Sequence, residues 1–417
     1  MWFYEVFTMN EKFFVDRIQE NGGKAYIVGG WVRDKLRQVE AKDKDYVISG
    51  ISEMSFCRTF PEATKVGKSF PVYLLKIDGK ICEIAFARKE RKTGSGYKGF
   101  AVFYDTSVTI EEDLYRRDTT MNSIALELPG ETLIDPYRGR IDIENKKIRA
   151  VSKHFLEDPV RSLRAARQAA QTGFSIEVET VAMMKACRGE LIYEPQGRLL
   201  QELTLALGAK QPSCFFRYLA EAGILDITFP EIFALAGKVQ PAAFHPEGDA
   251  FEHSMLILEE VAKKTERIEV RFSALVHDIG KGATRLDLLP HHYGHEVVGR
   301  EILADWNKRM QLPKIWLQCA NVVISEHMRA PRLKKVSKII DLFLLLDKNP
   351  LRVEGFNLII EADHKGLPIY LQEYSRYLQT IYMVSCNNKP KNLHGSAIGV
   401  WLRQQRIFAC RKMIEES

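Results

Sequence analysis

The sequence has no CxxC pair. Its seven cysteines (Cys57, Cys82, Cys187, Cys214, Cys319, Cys386 and Cys410) stand singly, which argues against a zinc ribbon or a disulfide framework and for reduced thiols. It has no unbroken apolar run approaching the roughly 20 residues that span a bilayer, and no basic-then-apolar leader at its start. Internal repeats and low-complexity tracts are also missing. Charge of one sign is barely in excess, with 60 Lys and Arg against 54 Asp and Glu for a net +6. That is too little, alone, to argue for a nucleic-acid partner. What is present is a chain of 417 residues, 46% hydrophobic, enough for two or three domains. The expectation is a soluble, cytoplasmic protein without a membrane partner.

Patterning divides the chain. Phe13, Phe14, Val15 and Ile18 suggest a short amphipathic helix that Asn21-Gly22-Gly23 stops. Strand-like runs follow at 25–28, 45–49, 71–77, 80–87 and 123–128, with a short helix over 31–38. From about Asp158 onward helical periodicity dominates, apart from a polar loop at 386–392. The fold class expected is α+β: an N-terminal extension (1–24), an α/β head (25–150), a helical neck and body (151–240), a second helical domain (241–366) and a helical tail (367–417). Seven of the ten histidines (His245, His253, His277, His291, His292, His295 and His327) fall between 245 and 327, which suggests a metal-handling module.

In the head, Asp43 and Asp45 stand as D-x-D at the start of a strand. Alternation along a strand points residues two apart the same way. Two such carboxylates repel unless a cation lies between them, and Mg²⁺ suits hard oxygen ligands shared with water and phosphates. A solvated K-D-K-D turn is the other reading of this stretch. Upstream, IVGGWVRDKL (27–36) reads as strand, glycine pair and helix. Gly29 and Gly30 allow a phosphate close to the backbone at a helix start, and Arg33 can add a guanidinium to the same anion. Glu83, in ICEIAFA, is a third acid for the cluster, or else an edge-strand glutamate.

With these residues in hand, the sequence resembles the polymerase-β-type nucleotidyltransferase superfamily in its class II tRNA nucleotidyltransferase branch. VGGWVRDKL with KDKDYVISG is similar to its catalytic motif, ARKERKTGSGYKGF (87–100) to its flexible loop, and RRDTTMN (116–122) to its ribose-selecting motif. DPYRGRIDI (135–143), EDPVRSLRAAR (157–167) and QGRLLQEL (196–203) are similar to the turn, base-selecting helix and neck motif that follow. The resemblance implies a polymerase-β-like head that extends the 3′ end of tRNA with CTP and ATP, using no nucleic-acid template. The terminal hydroxyl attacks the α-phosphate and pyrophosphate leaves. Asp43 and Asp45 would hold Mg²⁺ and Glu83 would help activate the hydroxyl. Family enzymes that add only CC lack the flexible loop, so its presence leans toward addition of the full CCA; addition of A alone and poly(A) synthesis stay open.

The same motifs have a direct chemical reading. Arg117, Asp118 and Asn122 can hydrogen-bond sugar hydroxyls, and the resemblance makes Asp118 the ribose contact; a plain helix cap is the alternative. Asp158 and Arg161, three apart on one helical face, offer an acceptor beside a donor. Cytosine and adenine each present an amino donor beside a ring-nitrogen acceptor, so this pair matches both and mismatches uracil and guanine. Arg161, Arg164, Arg167 and Arg198 can track nucleotide or acceptor-stem phosphates; a solvated helical ion pair is the plain reading of Asp158 and Arg161.

Farther along, FEHSMLILEE (251–260) and RFSALVHDIGKG (271–282) read as helices, the second ending in His277-Asp278. Imidazole with carboxylate suits a transition metal (Ni²⁺, Co²⁺ or Mn²⁺) better than Mg²⁺. This region resembles the HD phosphohydrolase domain, with His253, His277, Asp278 and Asp363 implied as ligands and His292, His295 and His327 as nearby pocket or ligand candidates. The resemblance implies phosphatase, 2′-nucleotidase and 2′,3′-cyclic phosphodiesterase activity; an HD-like scaffold without metal is the alternative. The partners implied are the tRNA acceptor end, CTP and ATP, with a homo-oligomer allowed.

Overall fold

The computed structural model of the chain describes residues 9–41, 43–66, 71–92, 94, 100–242, 246–390 and 393–416. His245 and most of the glycine-rich part of the 87–100 stretch lie outside the described residues. Two compact units form: one runs to Glu202 and takes in Arg217–Thr228, the other comprises Leu203–Phe216 and the chain from Phe229 onward. No helix among the described residues is long and apolar enough to cross a membrane.

The first unit is organised by a seven-stranded mixed sheet. Its strands, in chain order, are β1 (Lys24–Val28), β2 (Asp45–Ser49), β3 (Thr64–Val66), β4 (Val72–Ile77), β5 (Lys80–Phe86), β6 (Ala125–Leu128) and β7 (Thr132–Ile134). They lie in the spatial order β3-β4-β5-β2-β1-β6-β7. Ala25–Val28 and Tyr46–Ile48 are buried without a break, as strands covered on both faces require. Before β1, α1 (Glu11–Glu20) begins where Asn10 Oδ1 accepts the Phe13 N–H at 2.8 Å. It buries Phe14, Val15 and Ile18 but not Phe13, whose ring carries the Arg17 guanidinium instead. The Phe14 ring meets Tyr46 of β2 at 5.3 Å and Phe60 at 5.4 Å. The stretch read as an extension is thus packed against the strand that carries Asp45.

Between β1 and β2 lies α2 (Gly30–Leu36), entered through Gly29 at φ 73°, a conformation that side chains disfavour. Gly139 answers a different constraint. A Cβ there would lie 2.2 Å from the Thr120 carbonyl oxygen and 2.9 Å from Ile124, so the 135–143 turn presses directly on the back of RRDTTMN. Gly139→Ala is therefore expected to cost at least about 1–3 kcal/mol, the range for overpacking a filled site, seen as a lowered urea midpoint. After the sheet, α3 (Arg161–Thr172) is buried along most of its length and ends at Gly173, φ 72°. Beyond it the only described strand is the pair of residues Ser175–Ile176, parallel to Lys147–Ile148, which agrees with the expected loss of strand signal.

The second unit is helical. Its main helices are α4 (Ala250–Ala262), α5 (Ile268–Val276), α6 (His295–Met310), α7 (Lys314–Glu326), α8 (Val336–Lys348), α9 (Arg352–His364) and α10 (Ser396–Glu415). In its core the Phe272 ring stacks on Trp316 at 4.8 Å and meets Trp306 tilted at 5.7 Å. A second apolar cluster joins α8 and α9 to Tyr370, Tyr377 and Cys410. The turn after α5 packs so tightly on the start of α6 that a Cβ on Gly280 would fall 1.9 Å from the His295 carbonyl oxygen.

Candidate active sites

A cavity of about 620 Å³ opens in the first unit, within the range of small-ligand pockets. One wall is built by β2 and β5, which pair in parallel with Asp45 opposite Glu83. Glu83 therefore sits on an interior strand, not an edge strand, with β4 on its other side. Strand β2 begins at Asp45, so Asp43 precedes the strand; the two-residue alternation invoked from sequence does not govern it. Asp43, Asp45 and Glu83 all keep solvent-exposed side chains, but of the three only Asp45 and Glu83 line the cavity. The Asp45 carboxyl is pushed up to about 6, first by the protein around it and next by the charges of Glu83 and Asp43, with Arg117 opposing. A cation in front of these acids would relieve that repulsion. The donors form an open array of hard oxygens, and such an array fits Mg²⁺, which keeps waters and substrate phosphates in its shell.

Gly29 and Gly30 line the same cavity, and a Cβ on Gly29 would approach Arg117 Nη1 at 3.6 Å. Arg33 does not line it. Its guanidinium binds Asp34 and donates to Asn122 Oδ1 at 3.0 Å, tying the glycine turn to the RRDTTMN segment. Arg117 is held by Asp113, as is Arg116, and both arginines line the cavity. Asp113 is fully buried; burial would raise its carboxyl, but Arg116 and Arg117 bring it well below the ordinary range. Glu90 accepts from Arg88 and Arg116 at 2.8 Å each and so joins this network to the root of the 87–100 stretch. Arg88, Glu90, Asp113 and Arg116 were not singled out from sequence, although three of them lie inside quoted motifs.

Asp118 forms the second hub. Its Oδ2 accepts from Arg164 at 2.8 Å and Gln168 at 3.0 Å, while Oδ1 accepts the Thr119 N–H at 2.8 Å and faces Asn122 at 3.4 Å. Burial opposes ionisation, yet Arg164, the Thr119 N–H and Arg161 hold the carboxyl well below its usual value. Asp118 is not a helix cap: the 3₁₀ turn Thr120–Asn122 begins after Thr119, which makes no side-chain cap.

Asp158 and Arg161 both line the cavity, but not as an ion pair. Asp158 precedes α3 in extended conformation and its Oδ2 accepts from Arg198 Nη2 at 2.8 Å. Arg161 is the first residue of α3 and donates to the His154 carbonyl, leaving 8% of its side chain exposed. Arg198, placed among phosphate contacts from sequence, thus also lines the cavity and bonds Glu194 and Asp158. Arg167 does not line it and pairs with Glu202, which does.

In the second unit the ends of five helices converge. His253 on α4, His277 and Asp278 after α5, His295 at the start of α6, His327 after α7 and Asp363 on α9 are all almost wholly buried. His253 Nε2 lies 3.1 Å from Asp363 Oδ1 and 3.3 Å from His277 Nε2, although Asp363 is 110 residues away in sequence. His277 Nε2 lies 3.1 Å from Asp278 Oδ2. Burial would lower the His277 imidazole, but Asp278 and Asp363 raise it to about 8. A shell of nitrogen and carboxylate donors this dry and this close fits a divalent transition metal. His292 is not part of it: its ring bonds Thr284 and the Val239 carbonyl. His291 is exposed and stacks on Tyr293.

Residues 25–149 match the family model described as the poly A polymerase head domain, residues 173–235 the model "Probable RNA and SrmB- binding site of polymerase A", and residues 250–351 the HD domain. The chain is 39% identical over 375 residues to the multifunctional CCA protein of Mannheimia succiniciproducens, covering 86% of this chain and 88% of that one. Among solved structures, the Bacillus stearothermophilus CCA-adding enzyme in complex with CTP matches with TM-score 0.66 at 21% identity, over 95% of this chain and 91% of that one. The Thermotoga maritima CCA-adding enzyme complexed with tRNA_CCA matches with TM-score 0.62 at 21% identity, over 96% and 92%. At that identity the structural likeness speaks for the fold, while the closer sequence relationship decides the family. The chain belongs to the multifunctional CCA proteins and is a tRNA nucleotidyltransferase built from a polymerase-β-like head, a helical body and an HD domain.

Proposed function

We propose that the chain adds or repairs the 3′-terminal CCA of tRNA from CTP and ATP, reading its bases with side chains. The observation that carries this is the meeting of Asp45, Glu83, Asp118, Asp158 and Arg161 around one cavity of nucleotide size. In this reading Asp43 and Asp45 hold Mg²⁺, which supplies charge neutralisation at the phosphates, and Glu83 helps take the proton of the tRNA 3′-hydroxyl. Gly29 and Gly30 leave room for the triphosphate, with Arg117 beside them and Arg33 bracing Asn122. Asp118 and Asn122 receive the ribose, Asp118 being pre-oriented by Arg164. Asp158 accepts from the amino group of C or A while Arg161 donates to the ring nitrogen, and Arg198 holds the Asp158 carboxylate in place. Arg164 and Arg167 set the inner face of α3, and the tRNA acceptor end enters from the body.

The working division is an extension (1–24), head (25–150), neck and body (151–240), HD domain (241–366) and tail (367–417), in a cytoplasmic protein. The HD domain is read as a transition-metal phosphohydrolase (Ni²⁺, Co²⁺ or Mn²⁺), acting on phosphate monoesters and 2′,3′-cyclic phosphates at tRNA ends.

Incubation with Mg²⁺, a tRNA transcript lacking CCA and single or combined labelled nucleotides tests the head. Growth by three residues that needs both CTP and ATP supports the reading; one A added only to CC-ended tRNA, or a long A ladder, replaces it with A addition or poly(A) synthesis. Arg198→Ala should free the Asp158 carboxylate and relax base choice. One well-made base contact is worth about 1–3 kcal/mol, so misincorporation of UTP relative to CTP should rise roughly ten- to hundredfold in single-turnover assays.

A further inference from the structure

We propose that Gln168, which is not among the residues lining the cavity, is a positioning residue for ribose choice. It binds one oxygen of the Asp118 carboxylate and draws the Thr119 hydroxyl away from the other. This rests on the reading of Asp118 as the ribose contact, and deepens it by naming what keeps that contact free.

Gln168 and Thr119 are completely buried and Asp118 nearly so. On α3, Gln168 lies four residues beyond Arg164 and on the same helical face, so both side chains reach Asp118. The orientation of the Gln168 amide follows from its neighbours. Asp118, its carboxyl held well below the usual range by Arg164, is ionised and can only accept. The Gln168 atom 3.0 Å from Oδ2 is therefore the Nε2 amide. Its Oε1 then faces Thr119 Oγ1 at 2.7 Å. An amide oxygen only accepts, so the Thr119 hydroxyl donates its proton to Gln168.

The consequence falls on the two Asp118 oxygens unequally. Arg164 Nε and Nη2 both reach Oδ2, at 2.8 Å each, and Gln168 is the third donor there. A guanidinium that meets one oxygen, rather than spanning both, anchors the carboxylate without fixing its plane. Oδ1 has one short donor, the Thr119 N–H at 2.8 Å. Asn122 Nδ2 stands at 3.4 Å and Thr119 Oγ1 at 3.5 Å, both long for a hydrogen bond. A carboxylate oxygen takes about two donors, so Oδ1 keeps a place for a hydroxyl arriving from the cavity.

The Thr119 hydroxyl is the resident competitor for that place. Its other polar contact among the described residues is Oδ1 itself, and a buried hydroxyl left without an acceptor is costly. While Gln168 takes the proton, Oδ1 stays open. Without the Gln168 oxygen the hydroxyl turns to Oδ1 and fills the acceptor that a ribose 2′-hydroxyl would use.

The test compares kcat/KM for CTP and dCTP on a tRNA transcript lacking CCA, with the full chain. Gln168→Met keeps the length of the side chain and removes both polar atoms. The CTP preference should fall about three- to tenfold, the worth of one ordinary hydrogen bond, with the loss borne by CTP. Adding Thr119→Val to Gln168→Met removes the competing hydroxyl and should raise the preference again. A merely structural role would lower both nucleotides together, and Thr119→Val would not reverse it. Urea denaturation verifies folding, and Gln168→Leu takes the place of Gln168→Met if the latter unfolds. A preference unchanged by Gln168→Met, or not raised again by Thr119→Val, would overturn the role of Gln168 if Asp118→Ala abolishes the preference. A preference that survives Asp118→Ala would overturn the ribose reading and this inference with it.

Discussion

Asp45→Ala is expected to lower nucleotide incorporation by at least about 10³-fold while leaving the protein as stable as before, or more so. The first part follows from position. Asp45 opens β2, faces Glu83 across the parallel pair and lines the cavity, so in the proposed mechanism its loss removes a metal-holding group from the reacting phosphate. Such electrostatic assistance is worth several kcal/mol, and each 1.36 kcal/mol is tenfold in rate. The second part follows from the company it keeps. Asp45 enters no ion pair among the described residues, and its carboxyl is raised to about 6 by its surroundings and by Glu83. At neutral pH the ionised group therefore works against the fold, and its removal relieves that. Incorporation assays beside urea denaturation check both parts; a variant that loses activity by unfolding would contradict the assignment.

Asp118→Ala is expected to behave in the opposite way. The Asp118 side chain is 3% exposed and holds Arg164, Gln168 and the Thr119 N–H. Breaking a fully buried pair costs about 3–5 kcal/mol, but the Arg164 side chain is 41% exposed and regains water, so about 2–3 kcal/mol is the expected loss of stability. Discrimination of CTP against dCTP should fall at least about tenfold if, as proposed, Asp118 receives the ribose, because a site built to bond a hydroxyl then loses its acceptor. The pH dependence carries a sign. The folded carboxyl sits below its ordinary value, so its stabilisation is present above the unfolded value of about 3.9 and drains away as pH falls toward the folded one. The stability gap between the parent and Asp118→Ala should hold at pH 7 and close below about pH 4. A gap that persists into acid would point to packing as the source.

What the sequence made legible was local. The glycine pair at the start of α2, the strand DYVIS and the His277-Asp278 helix end are written in a few adjacent residues, and each stands where its pattern says. Periodicity failed just outside such a pattern: alternation along a strand would set Asp43 beside Asp45, but the strand starts only at Asp45. The pairs that depend on tertiary register were not legible as pairs. Asp158 and Arg161 are close in sequence and suggest each other as partners, yet Asp158 is taken by Arg198, 40 residues on, and Arg161 by a backbone carbonyl. Asp113 looks like one of several acids in a first helical turn; its complete burial among Arg116, Arg117 and the Arg88 N–H, which donates to its Oδ1, depends on a segment 25 residues away in sequence. In the HD unit, the seven clustered histidines flagged the region but not its members. Distances separated His295 and His327, which share Asp278, from His292, which does not.

The central claim is that the protein itself, through Asp158 and Arg161, does the work of a template. Equilibrium binding of the four ribonucleoside triphosphates to the tRNA-free protein, in Mg²⁺ by isothermal titration calorimetry, tests it most directly. The account predicts that CTP and ATP bind at least about tenfold more tightly than UTP and GTP, and that Asp158→Ala levels the four. Equal binding of all four to the unaltered protein would contradict it, and would place base selection in the RNA.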